Sequence, residues 1–235
     1  MCTVSYEITK NGYRLLFNRD EQRTRTKAMA PVLRQGALMP IDSQSGGTWI
    51  AVNQWGVTVA LLNDYQSSRQ PVFRTSRGQI IPMLVQWQTI AEVIEAAKSI
   101  DLSQYDGFRL VVFGPDNQPR VLAEKNNGLV EETDCVWPVS SSSYGSDVEY
   151  VRQQYRLADL DAYHRSHQPQ KGPYSVCVHR DDVVTVSLTE VQVSTNKILM
   201  RYIDGSPCLN SVAVSQEMNR CKSKPNTVEN KRTQT

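Results

Sequence analysis

The sequence predicts an α+β protein built as a four-layer αββα sandwich, with two mainly antiparallel sheets face to face and helices on the outer faces. Three observations carry this. Strand-like segments fall into blocks separated by two helical segments, in the order β-rich, helix, β-rich, helix, β-rich. No repeat of roughly 20–50 residues recurs, and the regular βαβ alternation that builds a parallel sheet is missing. No Pro-, Gly- or Ser-rich linker divides the chain, so residues 1–221 read as a single domain and 222–235, with Val228 as the only aliphatic residue, as a disordered polar tail.

Composition narrows the function classes. With 235 residues, 40% hydrophobic and 21% charged, the chain can bury a sizeable core. Its 26 basic and 24 acidic residues leave a net charge of +2, too little for a general nucleic-acid or membrane-surface binder. No apolar run approaches the roughly 18–20 residues that span a bilayer, so no transmembrane segment is expected. The start lacks the basic and apolar regions of a secretory signal. Cys2, Cys135, Cys177, Cys208 and Cys221 are odd in number and lack CxxC spacing, which suits reduced thiols in a cytoplasm better than a disulfide framework.

In chain order, Val4, Tyr6 and Ile8 share one face of a strand, and Asn11-Gly12 forms a hairpin turn into YRLLFN. The basic stretch RDEQRTRTKAMAPVLRQGALMP reads as a loop with at most a short helix. TWIAVN, QWG and VTVALLN form a second hairpin with Val57, Val59 and Leu61 on one face. Ile90, Val93, Ile94 and Ala97 make one stripe of an amphipathic helix over about 88–100. FRLVVFG and QPRVLAEK are strands joined by PDNQP, and GLVEETDCVWPV is another. Ser146 and Glu149 have capping-box spacing at the head of a second helix over about 147–163, buried through Val148, Val151, Tyr155, Ala158 and Ala162. YSVCVHR, a turn at Asp181-Asp182, VVTVSLTEVQV and KILMRYID close the sheets.

The cysteine at position 2 has a chemical prospect. Aminopeptidases remove an initiator methionine when the next side chain is small, which would leave thiol and free α-amine on one residue. The amine, with an ordinary pKa of about 7.7–8.0, is partly neutral at pH 7 and can take the thiol proton. Threonine with its own N-terminal amine is an activated nucleophile of this kind, and cysteine is intrinsically more nucleophilic. The plain alternative is a small residue beside an initiator.

Beyond Cys2, the chain carries Asn-Arg-Asp-Glu at Asn18–Glu21, then GGTWIAVNQWGVTVALLN, TSRGQIIPMLV, YDGFRLVVFG and a Ser-rich turn before a helix. This ordered set resembles the NRDE family, which includes the Transport and Golgi organisation 2 group, over roughly residues 2–205. The family looks related to N-terminal nucleophile hydrolases, among which the choloylglycine hydrolase and penicillin V acylase group also begins Met-Cys-Thr. The resemblance implies the αββα sandwich, exposure of Cys2, and attack on a non-peptide amide or related acyl compound.

It also implies roles residue by residue. The hydrolase pattern N-x-x-G-x-x-x-x-x-L-N is matched by NQWGVTVALLN, which makes Asn63 the oxyanion donor; the alternative is a strand-end turn former. Arg19 would favour the Cys2 thiolate, and Asp20 would orient the α-amine or the arginine. Successive strand residues face opposite ways, so both reach Cys2 only if the strand bends. Two departures stand out: Gln22 occupies the place of the hydrolases' acid three residues after the arginine, and VSSSS replaces Leu-Thr-Asn-Ser, putting Ser141 at a substrate-contacting asparagine. For the hydrolases' late arginine, Arg152 and Arg180 match by type only. Trp49 is a candidate pocket wall, with Tyr65 beside Asn63.

The three histidines lie close together in YHRSH and CVHR. A zinc set of His164, His167, His179 and Cys177 is imaginable, but His-x-x-His is looser than the i,i+4 helical motif. Helix-end histidines complementing the dipole are the simpler reading, so no metal or cofactor is expected. Two functions follow: a cysteine amidohydrolase or acyltransferase with a small-molecule acyl or amide ligand, or a non-catalytic carrier for a hydrophobic ligand such as an acyl-CoA, lipid or haem, with Cys2 as ligand or redox-sensitive thiol.

Overall fold

Alternation along the strands sets the layers. A computed structural model describes residues 1–67, 75–115, 117–125 and 128–222. β1 (Cys2–Thr9) pairs antiparallel with β2 (Gly12–Gln22). β2 is buried on both faces: Leu15 and Phe17 point toward the second sheet, Leu16 toward the outer layer.

The six-stranded sheet has the order β10-β1-β2-β11-β12-β13, where β10 is Val139–Ser141, β11 Val183–Val193, β12 Lys197–Asp204 and β13 Ala213–Asn219. The seven-stranded sheet runs in sequence order through β3 (Met29–Arg34), β4 (Ala37–Ile41), β5 (Ile50–Asn53), β6 (Thr58–Asn63), β7 (Phe108–Gly114), β8 (Asn117–Lys125) and β9 (Gly128–Glu131). Each named pairing is antiparallel. Between the sheets Val4, Leu15 and Phe17 meet Ile50, Val52, Leu62 and Val111. Each such side chain, fully withdrawn from water, contributes about 1.5–3 kcal/mol.

The other face of the seven-stranded sheet is covered by α1 (Ile80–Leu84) and α2 (Ile90–Lys98), whose Ile81, Leu84, Val93 and Ile94 bury Val59, Leu61 and Leu110. α2 is the predicted stripe, started by a capping box between Thr89 and Glu92. On the six-stranded sheet lie α3 (Val148–Gln154), beside β10, and α4 (Leu160–Arg165), with Leu160 against Leu16, Leu188 and Ile203. The four-layer αββα sandwich is therefore observed. Among the described residues no helix is long and apolar enough to cross a membrane.

Several boundaries differ from the sequence reading. The supposed basic loop contains the β3–β4 hairpin, whose Gln35 and Gly36 both take positive φ (51° and 77°), the geometry of a tight primed turn. β3 is an edge strand that tolerates Pro31 and solvated charges, so its pattern lacks the alternation of a covered strand. β13, another polar edge strand, is an element the sequence reading lacks.

The single helix over 147–163 is two helices. Asp159 caps α4 by accepting from the Asp161 and Ala162 N–H groups, while Glu149 makes no capping box and instead accepts from Ser140 N and Arg109. Tyr155, Ala158 and Ala162 are exposed; Arg152, Tyr163 and His164 take the buried positions. YSVCVHR is irregular apart from a bridge between His179 and Val184. GLVEETDCVWPV is a strand only at its two ends, in β9 and at the start of β10. Of the expected tail only Lys222 falls within the described residues.

The first hairpin turns at Lys10-Asn11 rather than Asn11-Gly12. Gly12 (φ 152°) is needed for approach: a Cβ there would lie 2.1 Å from the Val193 carbonyl oxygen of β11. Gly12→Ala should therefore destabilise the fold by about 1–3 kcal/mol through forced backbone movement. Chemical denaturation measures it, and an unchanged midpoint would show that β2 and β11 separate freely.

Candidate functional site

β1 lies between β10 and β2, so the chain starts inside a sheet. Met1 and Asp20 exchange both main-chain hydrogen bonds, Met1 N to Asp20 O at 3.0 Å and Asp20 N to Met1 O at 2.9 Å. The following pair, Cys2 and Arg19, is then a non-hydrogen-bonded one, where facing side chains come closest. On its other side Cys2 is paired with Ser141 of β10. Cys2, Arg19 and Ser141 form one row across three strands, on the face turned to the second sheet.

The second sheet meets this row through the end of β6. Asn63 Nδ2 donates to the Tyr65 hydroxyl at 2.9 Å, and the Met1 ammonium donates to the same oxygen at 3.1 Å. A cavity of about 230 Å³ opens here, lined by Cys2, Arg19, Trp49, Asn63, Arg25 and Arg77 among others. Gly78 lies in its wall with Gly47 packed against it: a Cβ on Gly47 would lie 2.5 Å from the Gly78 carbonyl carbon. The lining is largely polar, with Trp49 and Leu61 among its apolar members. Trp49 is stacked under Arg19, whose guanidinium carbon is 4.3 Å from the ring centre.

Arg19 donates to Asp42 Oδ2 at 2.5 Å, and Arg25 to the same oxygen at 2.9 Å. Burial alone would raise the Asp42 carboxyl, but hydrogen bonds from Arg25 and the Ser45 N–H, with the charge of Arg19, hold it below the usual carboxylate range. Asp42 is absent from the sequence reading; its signal was the Asp-Ser-Gln-Ser turn that it caps through the Gln44 and Ser45 N–H groups. Burial pushes the Cys2 thiol up to about 11 against the pull of the Met1 ammonium and Arg19, so with Met1 in place it is a protonated thiol. The Ser141 hydroxyl, in the same row, is buried with no partner among the described residues.

Asp20 departs from expectation. Alternation turns its carboxylate to the helix-covered face, where Oδ1 accepts from Thr185 at 2.6 Å and Oδ2 lies 3.9 Å from Arg152 Nη1. Its carboxylate makes no hydrogen bond to Arg19, which Asp42 holds, or to the terminal amine, which donates to the Asp20 carbonyl and the Tyr65 hydroxyl. Arg152, fully buried, also donates to Thr3 Oγ1 at 2.6 Å and to the Pro173 and Tyr174 carbonyls. Burial raises the Asp20 carboxyl despite Arg152 and lowers Arg152 despite Asp20. Arg180 reaches the Met1 side chain, its Nη1 lying 3.4 Å from Sδ, where Val178 and Val183 also pack.

Of the histidines, His164 separates from the others. It is fully buried on α4, Nε2 lies 2.7 Å from Ser5 Oγ, and Asn18 Nδ2 donates to its carbonyl. Burial, with Arg152 and Arg14 nearby, lowers its pKa from 6.5 to about 3, so it is neutral and does not complement a helix dipole. His167, Cys177 and His179 instead gather with Cys208.

The unfolded chain protonates His164 below its ordinary value while the folded chain resists until about pH 3, so stability falls as pH falls through that window. Between pH 7 and pH 5 this one residue should remove about 2 kcal/mol. His164→Gln should flatten the slope by that amount in denaturation at the two pH values; an unchanged slope would show His164 titrating freely.

The profile of the Transport and Golgi organisation 2 family matches residues 1–217. No curated protein sequence matches this chain. Among solved structures, a penicillin V acylase from Agrobacterium tumefaciens aligns with a TM-score of 0.56 at 9% identity, covering 92% of this chain and 86% of its own. A conjugated bile acid hydrolase from Clostridium perfringens aligns at 0.54 and 10% identity, over 97% of this chain and all (100%) of the other. An N-acylethanolamine-hydrolyzing acid amidase orthologue from Caenorhabditis elegans aligns at 0.50 and 13%, over 81% and 92%. The likeness is one of fold: the four-layer αββα sandwich.

Proposed function

From the premise that this chain belongs to the Transport and Golgi organisation 2 family, we propose that it is an N-terminal cysteine hydrolase or acyltransferase acting on a non-peptide amide or related acyl compound. One observation carries the reading: Cys2, Arg19 and Ser141 from one sheet and Asn63 from the other converge on the start of the chain. Three fold neighbours are named for an acylase, a hydrolase and an amidase, which accords with it.

Removal of Met1 opens the mechanism. It frees an α-amine on Cys2, beside a thiol whose pKa is raised chiefly by burial. The Cys2 sulfur attacks the acyl carbon while its proton passes to the α-amine. The second N–H of Asn63 Nδ2 and the Ser141 hydroxyl, which has no partner among the described residues, are donors available to the tetrahedral oxyanion. Collapse expels the amine, which takes the proton from the ammonium. Water or an acceptor, deprotonated by the same α-amine, then attacks the thioester and restores the thiol.

The carrier reading has its own support in the Asp42 carboxylate that engages Arg19, and in a serine where an amide donor would be stronger. Intact mass of protein lacking Met1, incubated with acyl amides and thioesters, separates the two. An acyl increment on Cys2 that decays with product release is expected; Cys2→Ala abolishes it, and Asn63→Ala slows turnover by about 10²–10³-fold. Retention of unchanged ligand, indifferent to Cys2→Ala, would replace the enzyme with a carrier.

A further inference from the structure

Behind the nucleophile row, four side chains that the acyl chemistry does not use converge. Their nitrogen and sulfur ligand atoms lie within 4.8 Å of one another: His167 after α4, Cys177 and His179 in the irregular segment before β11, and Cys208 in the turn after β12. We propose that His167, Cys177, His179 and Cys208 form a structural zinc site. His179 Nε2 is 3.6 Å from Cys177 Sγ and 3.2 Å from Cys208 Sγ. Tetrahedral zinc, with bonds of about 2.0–2.1 Å to nitrogen and 2.3 Å to sulfur, sets its ligand atoms about 3.3–3.8 Å apart. The cluster is thus close to single-ion size, whereas a two-iron cluster would hold its four ligands further apart.

Three further observations point to a ligand. His167 Nε2 is buried and has no partner among the described residues, a costly state for a ring nitrogen unless something fills the space before it. The His167 and His179 rings sit edge to face with centroids 5.1 Å apart, so neither stacks flat over the other's nitrogens. Cys177 and His179 are two apart, and the Cys177 Sγ and His179 Nε2 both turn into the cluster. The donor set of two thiolates and two neutral imidazoles is one that zinc prefers, and the two thiol protons released to solvent leave the loaded site electrically neutral.

The site would act by clamping. The Cys177 N–H donates to Ser166 O, Asn18 Nδ2 to Val176 O, and Arg152 to the Pro173 and Tyr174 carbonyls. Val178, between the two segment ligands, packs against Met1. A metal here ties the segment behind the chain's start to α4 and to the turn after β12, joining parts distant in sequence.

The test is metal content. Full-length protein purified under reducing conditions without chelator should carry zinc in stoichiometric amount by mass spectrometry. Cys208→Ala and His167→Ala should each lose it, and Cys2→Ala should retain it, so the result is independent of the acyl-transfer reading. Chelator treatment should lower the Tm of the wild type, and added zinc chloride should restore it. Because a variant could fail to fold, cobalt chloride added to metal-free wild type serves as a second readout, expected to give the visible absorption of tetrahedral cobalt with thiolate charge transfer. Reduced protein that takes up neither zinc nor cobalt, zinc that persists in folded Cys208→Ala, or a Cys177–Cys208 disulfide in the purified chain would overturn the proposal.

Discussion

The site follows from the antiparallel register of β1 against β2, which sets Cys2 opposite Arg19 and, with Met1 in place, joins Met1 to Asp20 by paired main-chain hydrogen bonds. A one-residue slip would send every side chain of β1 to the opposite face. Cys2 would then join the helix-covered layer, and Thr3 would face the second sheet. As it stands, Cys2 and Arg19 meet at a close pair, and Thr3 lies beneath with Arg152. The apolar members of β1 and β2 hold the register, because Val4 and Phe17 are opposed and fully buried. Core packing and site assembly are thus the same requirement on one strand pair.

That strand pair separates two charge systems. On the cavity side, Asp42 accepts from Arg19 and Arg25, and the guanidinium of Arg19 lies over Trp49. On the helix side, Asp20 and Arg152 are buried together at 3.9 Å; Thr185 donates to Asp20 Oδ1, Arg152 donates to Thr3 and main-chain carbonyls, and Asp20 Oδ2 has no hydrogen-bond partner among the described residues. Buried ion pairs of this kind contribute little net stability, but removing one partner leaves an uncompensated charge and is strongly destabilising. They specify arrangement: Arg152 fastens Pro173 and Tyr174, and Asn18 fastens Val176, so the irregular segment before β11 is held from the same face. The Asn-Arg-Asp-Glu tetrapeptide therefore works in alternation, with Asn18 and Asp20 building the support and Arg19 and Glu21 serving the cavity.

Much of the sandwich was legible because periodicity is local. The stripe of Ile90, Val93, Ile94 and Ala97 marks α2, and the alternation of Val57, Val59 and Leu61 marks β6 with its approach. Edge strands were not legible. β3 and β13 each lack a neighbour on one side, so their residues need not alternate, and charge or proline is tolerated. The helix over 147–163 misled for a related reason: its apparent apolar stripe included Tyr155 and Ala158, while the buried positions went to Arg152 and His164, polar side chains whose partners lie up to 159 residues away in the chain.

For the site, the sequence by itself determined the residue types, the cysteine beside the initiator, and the strand parity that places Arg19 and Asp20 on opposite faces. Tertiary structure decided the partners. Asp42 reaches Arg19 across 23 positions, Arg152 reaches Thr3 across 149, and Cys208 joins His179 across 29. Each pairing depends on how the sheets stack and where turns end, and a one-dimensional pattern carries no term for either. Periodicity reports which face a residue takes; only closure of the fold reports what it meets there.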